Sequence, residues 1–192
     1  MKKKIVVKIS SGLGDQLFMY SHAYALSKKI DYDLFIDNTS GYFQKKDTTH
    51  NRRYALDNFE IFSSISNEKF DDHFKHNIKK ILKFLDSFKQ KKSFFSEKLN
   101  NKKETFYQIN NDIFSNSVYV EGGFRSEKYF ETFRKDLLNQ FKVKEKLINK
   151  DSKYINLLKN SNSVSIHIRR DRFIEPENFN RRGSQVVKNI HL

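Results

Sequence analysis

Two arginines stand side by side at the end of an alternating segment, Ser163-Val-Ser-Ile-His-Ile-Arg-Arg170. Val164, Ile166 and Ile168 fall on one face of an extended chain, and Ser165, His167 and Arg169 on the other. That alternation predicts a strand with one apolar face. Arg170 then sits where the strand opens into a loop. A guanidinium offers a planar fork of donors, which suits two-pronged capture of phosphate better than an ammonium does. Ligands of open α/β sheets bind beyond the carboxyl ends of the strands. Two readings stand side by side: a phosphate grip, or an exposed basic strand end in a lysine-rich chain.

A second place for chemistry is Gly12-Leu-Gly14, between a short apolar run and an amphipathic one. A glycine loop ahead of a helix can turn backbone N–H groups towards an anion. The dinucleotide-binding fingerprint requires a third glycine at position 17, where this chain has Leu17. Asp37 does end the following strand, where a ribose contact would lie. The alternative is a tight turn that needs glycine for backbone reasons alone. His22, His50, His73, His76 and His191 show no metal-ligand spacing; His73 and His76 lie three apart but lack a third candidate nearby. There is no Ser-His-Asp or Cys-His arrangement. No stretch interleaves basic and aromatic residues as a nucleic-acid stacking platform does.

The elements that must position these residues follow from hydrophobic spacing. Lys4–Ile9 predicts a first strand, residues 15–30 a helix, and Tyr32–Ile36 a second strand. Met19, Ala23, Leu26 and Ile30 form the helix's apolar stripe, with Ser21, His22, Lys28 and Lys29 away from it. Together they make a βαβ unit with a right-handed connection. Residues 38–60 read as polar loop, with a basic pair at Arg52 and Arg53. Phe70, Phe74, Ile78, Ile81, Leu85 and Phe88 predict a second helix. Lys75, Lys79, Lys80, Lys83 and Lys89 belong to its other side, as a solvated face or one lying on an anionic membrane. Residues 93–111 read as irregular and 116–121 as a strand. A helix capped by Ser126 runs to Phe141, and another covers 144–159. The Arg-Arg strand follows, then a polar tail with the only proline, Pro176. The expected organisation is one domain over 1–160 and the first strand and loop of a second over 161–192.

Composition bounds the class. The chain has 192 residues, with 19 Phe and 9 Tyr that can build a core although only 37% of residues are hydrophobic. Cys is absent, which removes structural disulfides and thiolate metal sites. The apolar run after Met1-Lys-Lys-Lys4 stops at Lys8, too short for a signal peptide, so a soluble, cytoplasmic protein is expected. The net charge is +14, but the lysines are spread along the whole chain and single out no partner.

Four segments together resemble one family, the bacterial α-1,2-fucosyltransferases (galactoside 2-α-L-fucosyltransferases, glycosyltransferase family 11). Ser11-Gly-Leu-Gly-Asp-Gln-Leu-Phe-Met-Tyr20 resembles their Gly-Leu-Gly-Asn-Gln-Met-Phe-Gln-Tyr signature. Arg53-Tyr-Ala-Leu-Asp-Asn-Phe59 resembles their Arg-x-Tyr-x-Leu-x-x-Phe element, and Val120-Glu-Gly-Gly-Phe-Arg-Ser-Glu-Lys-Tyr-Phe130 their Gly-Tyr-x-Gln-Ser-x-Lys-Tyr-Phe element. Val164–Arg170 resembles their donor-binding His-x-Arg-Arg-x-Asp motif. The chain departs from these patterns at Asp15 (usually Asn), at Gly123 and Arg125 (usually Tyr and Gln), and after Arg170, where Asp171-Arg-Phe173 replaces Gly-Asp-Tyr.

The resemblance implies an α/β, GT-B-like fold. It has an N-terminal Rossmann-like domain on the acceptor side, with the second, donor-binding domain largely missing and the activity of the chain as it stands in question. It implies inverting transfer of fucose from GDP-fucose to a galactoside-terminated surface glycan, with no cofactor and no metal. Arg170 and Arg169 then match the catalytic and donor-binding pair, and His167 supports the loop or nucleotide. Gly12, Gly14, Asp15 and Gln16 line the cleft. Nucleic acid is not an expected partner; peripheral contact with the inner membrane surface is. The readings from other classes are a non-catalytic carbohydrate- or nucleotide-binding remnant and a dinucleotide-binding module.

Overall fold

A computed structural model describes residues 2–43, 52–97, 106–148, 152–164 and 166. The chain divides into two units, Met1–Ile148 and Asn149–Leu192. The first is an α/β unit built on a five-stranded parallel sheet. In chain order it holds β1 (Lys4–Lys8), α1 (Leu13–Ile30), β2 (Asp33–Asp37), β3 (Ser64–Ile65), α2 (His73–Asp86), β4 (Lys92–Ser96), β5 (Phe114–Glu121) and α3 (Arg134–Gln140). Spatial order is β3-β2-β1-β5-β4. Val6 of β1 stands between Phe35 and Tyr119 of its two neighbours. As the middle strand β1 is covered on both faces, which is why Ile5-Val-Val7 is continuously apolar.

One face of the sheet carries the main core. Ile5, Val7, Ile9, Val118 and Val120 meet Met19, Tyr20, Ala23 and Leu26 of α1. The predicted single stripe on α1 is too narrow. Ser21 and His22 are buried as well: His22 packs on Phe124 and Tyr129, beside Phe95 of the edge strand β4.

The other face departs further from expectation. α2 turns His76, Lys79, Lys83 and Asp86 towards the body; of the lysines predicted to be solvated, Lys79 and Lys83 face inward while Lys75, Lys80 and Lys89 are exposed. The Lys79 ammonium pairs with Glu121 at 2.8 Å, with side-chain exposures of 6% and 11%. Lys8 and Lys83 bond the same carboxylate. The Asp86 carboxylate accepts the N–H groups of Ser93 and Phe94. Phe74, Ile81, Phe84, Leu85 and Phe88 consequently face solvent. Charge pairing to a strand end outweighs apolar burial here, because burying the apolar stripe instead would leave Glu121 with Lys8 as its one cation among these three.

Four further expectations change. Residues 93–111 are not all irregular, since β4 occupies Lys92–Ser96 at the sheet edge, anchored through Asp86. Ser126 makes no side-chain cap, and the chain passes through two 3-10 turns before α3 begins at Arg134. In the second unit, α4 covers Lys153–Lys159, while Glu145–Leu147 in the first unit is a 3-10 turn, so 144–159 is not one continuous helix. Ser163, Val164 and Ile166 lie outside any strand, and Val164 and Ile166 are exposed. No helix among the described residues is long and apolar enough to cross a membrane.

Candidate functional site

The strands are parallel, so the loops after β1, β2 and β5 emerge at one edge, and the N-terminus of α1 opens there too. Gly12 precedes the helix at φ −81° and ψ 171°, with no side chain capping the first turn. The backbone there is one that any residue adopts, so a strained turn does not explain Gly12. A Cβ added at Gly12 or Gly14 would meet no atom within 4 Å. Neither glycine makes room for the protein itself. Both leave the backbone of the first turn open to an approaching molecule, where uncapped N–H groups and the helix dipole favour negative charge. Gly41 contrasts with them: its Cβ position lies 2.1 Å from the Ile9 carbonyl oxygen, so the loop after β2 is pressed onto the loop after β1.

Two non-glycine residues beside this edge hold left-handed backbone, Ser11 at φ 66° and Phe124 at φ 45°. Such conformations cost about 1–3 kcal/mol each and persist where the surroundings enforce them. Around Phe124 the Glu97 carboxylate does so, accepting the N–H groups of Gly123 and Phe124 at 2.7 and 2.9 Å. Around Ser11 the agent is Gln16. Its amide donates to the carbonyls of Ser11 and Arg53 at 3.1 and 2.9 Å, and its oxygen accepts the N–H of Ala55 at 2.9 Å. Gln16 is buried and its amide is fully engaged within the protein. It therefore shapes the loop, and it is not the cleft-lining contact that its position in the motif implied.

Asp15 is where the sequence puts it, in the first turn of α1 at the surface. Arg125, from the loop after β5, donates its Nε to the Asp15 carboxylate at 2.8 Å and remains largely exposed. Arg53 is tied to the same edge through its carbonyl, with its side chain exposed. Neither arginine was singled out as a site residue from the sequence. The signal for Arg125 was its departure from the family pattern, and for Arg53 its place in the basic pair with Arg52. His167, Arg169 and Arg170 lie outside the described residues.

Asp37 bears directly on the dinucleotide reading. It is wholly buried, and its carboxylate accepts the N–H groups of Thr39 and Ser40 and the hydroxyl of Tyr119. An acid engaged in this way is not presented to a ribose. Nearby, burial pushes the Glu121 carboxyl up, but Lys8, Lys79 and Lys83 together outweigh it and hold the group well below the usual carboxylate range. Burial lowers His22 to about 3, so it packs as a neutral ring on Phe124, centroids 3.7 Å apart. Among the described residues no three His, Asp or Glu side chains gather as a metal site.

The chain is 30% identical over 173 residues to an alpha-1,2-colitosyltransferase of Escherichia coli. The alignment covers 88% of this chain and 55% of that protein, so the chain spans about half the length of its relative. No family model and no solved structure matches. The similarity relates the chain to a glycosyltransferase.

Proposed function

We propose that this chain forms the acceptor-side, Rossmann-like part of a GT-B, GDP-sugar-dependent α-1,2-glycosyltransferase of surface-glycan assembly, with GDP-fucose as donor and a galactoside-terminated glycan as acceptor. One observation carries the reading: similarity to an α-1,2-glycosyltransferase extends over 88% of the chain. The unavailability of Asp37 supports it over a dinucleotide module.

The chemistry is inverting and needs no metal. An acceptor hydroxyl attacks the anomeric carbon of the donor and gives up its proton to solvent; the bond from that carbon to the β-phosphate oxygen breaks, and GDP leaves with the negative charge. Fixed guanidinium groups stabilise that developing charge, usually the largest catalytic contribution. Arg170 is assigned that role, with Arg169 beside it and His167 supporting the nucleotide. Gly12 and Gly14 let the donor or acceptor approach the first turn of α1, with Asp15 at its rim. Gln16 holds the loop in place.

Colitose is a second candidate for the sugar transferred, favoured by the relative's activity. Isothermal titration tests the nucleotide. GDP binding with no binding of NAD is expected. Preference for NAD would overturn the reading. Competition of GDP-fucose and GDP-colitose for the GDP site then ranks the two sugars.

A further inference from the structure

We propose that the outward face of α2 docks the protein on the anionic surface of a lipid bilayer. The helix is amphipathic in an inverted sense. Its polar stripe holds it to the protein through Lys79 and Lys83 on Glu121 and through Asp86 on the backbone of β4. With that stripe fixed inward, the apolar residues have only the outside to face. At 100° per residue they span an arc of about 160°. Phe74 and Phe88 are each 75% exposed, Phe84 65% and Ile81 60%. Phe84 and Phe88 stack edge-on at 5.2 Å, one turn apart, and make a ridge rather than scattered apolar contacts. A run of this size on a surface marks an interaction site.

Charge selects the occupant. Lys75 and Lys80 are exposed at the two margins of the arc, Lys75 paired with Asp71 and Asp72 at the start of the helix. The only carboxylate on the helix, Asp86, is buried on the opposite side. Bulky apolar residues immersed between lysines that stay at headgroup level are the pattern of a helix lying in an anionic interface. A second copy fits worse. Apposing two such faces would bring the same lysines together between chains that each carry +14. An anionic surface is attracted by that charge and covers the phenylalanines at once.

The test is vesicle flotation of the whole 192-residue chain. Phosphatidylglycerol–phosphatidylethanolamine vesicles should carry it, and phosphatidylcholine vesicles should not. The double variant Phe84→Ser, Phe88→Ser removes two exposed rings, so its circular dichroism should match the parent's while its partitioning falls at least about tenfold. Absence of flotation with the anionic vesicles overturns the proposal. Equal flotation of the variant also overturns it, since adsorption would then rest on charge alone. So does a concentration-dependent dimer that the same variant dissociates, because a second copy would then occupy the face.

Discussion

Arg125 and Asp15 meet at 2.8 Å across 110 residues of sequence, and each stands where the resembling family carries an uncharged amide. Two departures from one pattern thus meet in space, as a cation and an anion paired at the mouth of the glycine loop. Arg125 is exposed at 69% and Asp15 half-buried at 26%, so water and salt reach the pair and screen it.

The expected consequence is a small effect on folding. Asp15→Asn or Arg125→Gln should change unfolding free energy by less than about 1 kcal/mol, and the double variant should restore the amide pair with no additive loss. Urea unfolding of the four proteins completes the cycle. A coupling above about 2 kcal/mol would show that the pair holds the loop together and is more than an addition at its rim.

Gly14→Ala separates the needs of the fold from those of the ligand. Gly14 lies in the first turn of α1, and nothing is within 4 Å of the added methyl. The chain should gain about 0.5–1 kcal/mol, because alanine loses less backbone entropy than glycine on entering a helix. GDP binding should weaken, since the methyl occupies the space through which a phosphate reaches the backbone. A calorimetric scan and a titration on the same sample give both answers. A variant that is more stable and binds GDP as tightly as the parent would move the ligand away from this turn.

Physical terms explain what could be read from the sequence. The β1–α1–β2 unit was legible because β1 is buried on both faces and the glycines stand at a strand-to-helix junction. β4 was not, since its anchor is the Asp86 carboxylate, a contact that no periodicity encodes. The orientation of α2 was misread for a related reason. Spacing finds two faces on a helix but does not say which one the body needs, and here a carboxylate at the end of β5 selects the basic one. Gln16 was recognised as a motif residue, but its task depends on the carbonyls of Ser11 and Arg53, which only folding brings together. Asp37 was placed correctly at the end of its strand, but its partner was not visible, because Tyr119 reaches it from another strand.

The Lys79–Glu121 pair belongs to an unequal group of one carboxylate and the ammoniums of Lys8, Lys79 and Lys83. That inequality predicts an order among substitutions. Removing Lys79 leaves Glu121 two cations, so Lys79→Met, which keeps the apolar stem, should be nearly neutral, and Lys79→Ala should cost more through lost packing. Removing the carboxylate leaves the buried Lys79 without its counterion, and Glu121→Gln should cost about 3–5 kcal/mol. The pH dependence follows from the same group. Its folded pKa is depressed below the unfolded value of about 4.3, so folding is favoured wherever the carboxylate is ionised in both states. That contribution is complete above the unfolded pKa and is lost as pH falls from there towards the folded one. Acid titration of stability should therefore be steeper below about pH 4.3 in the parent than in Glu121→Gln. Equilibrium unfolding in urea at neutral and acid pH measures both effects. If Glu121→Gln unfolds at the parent's midpoint at neutral pH, α2 is not held by this carboxylate, and the reason for its outward apolar face is lost.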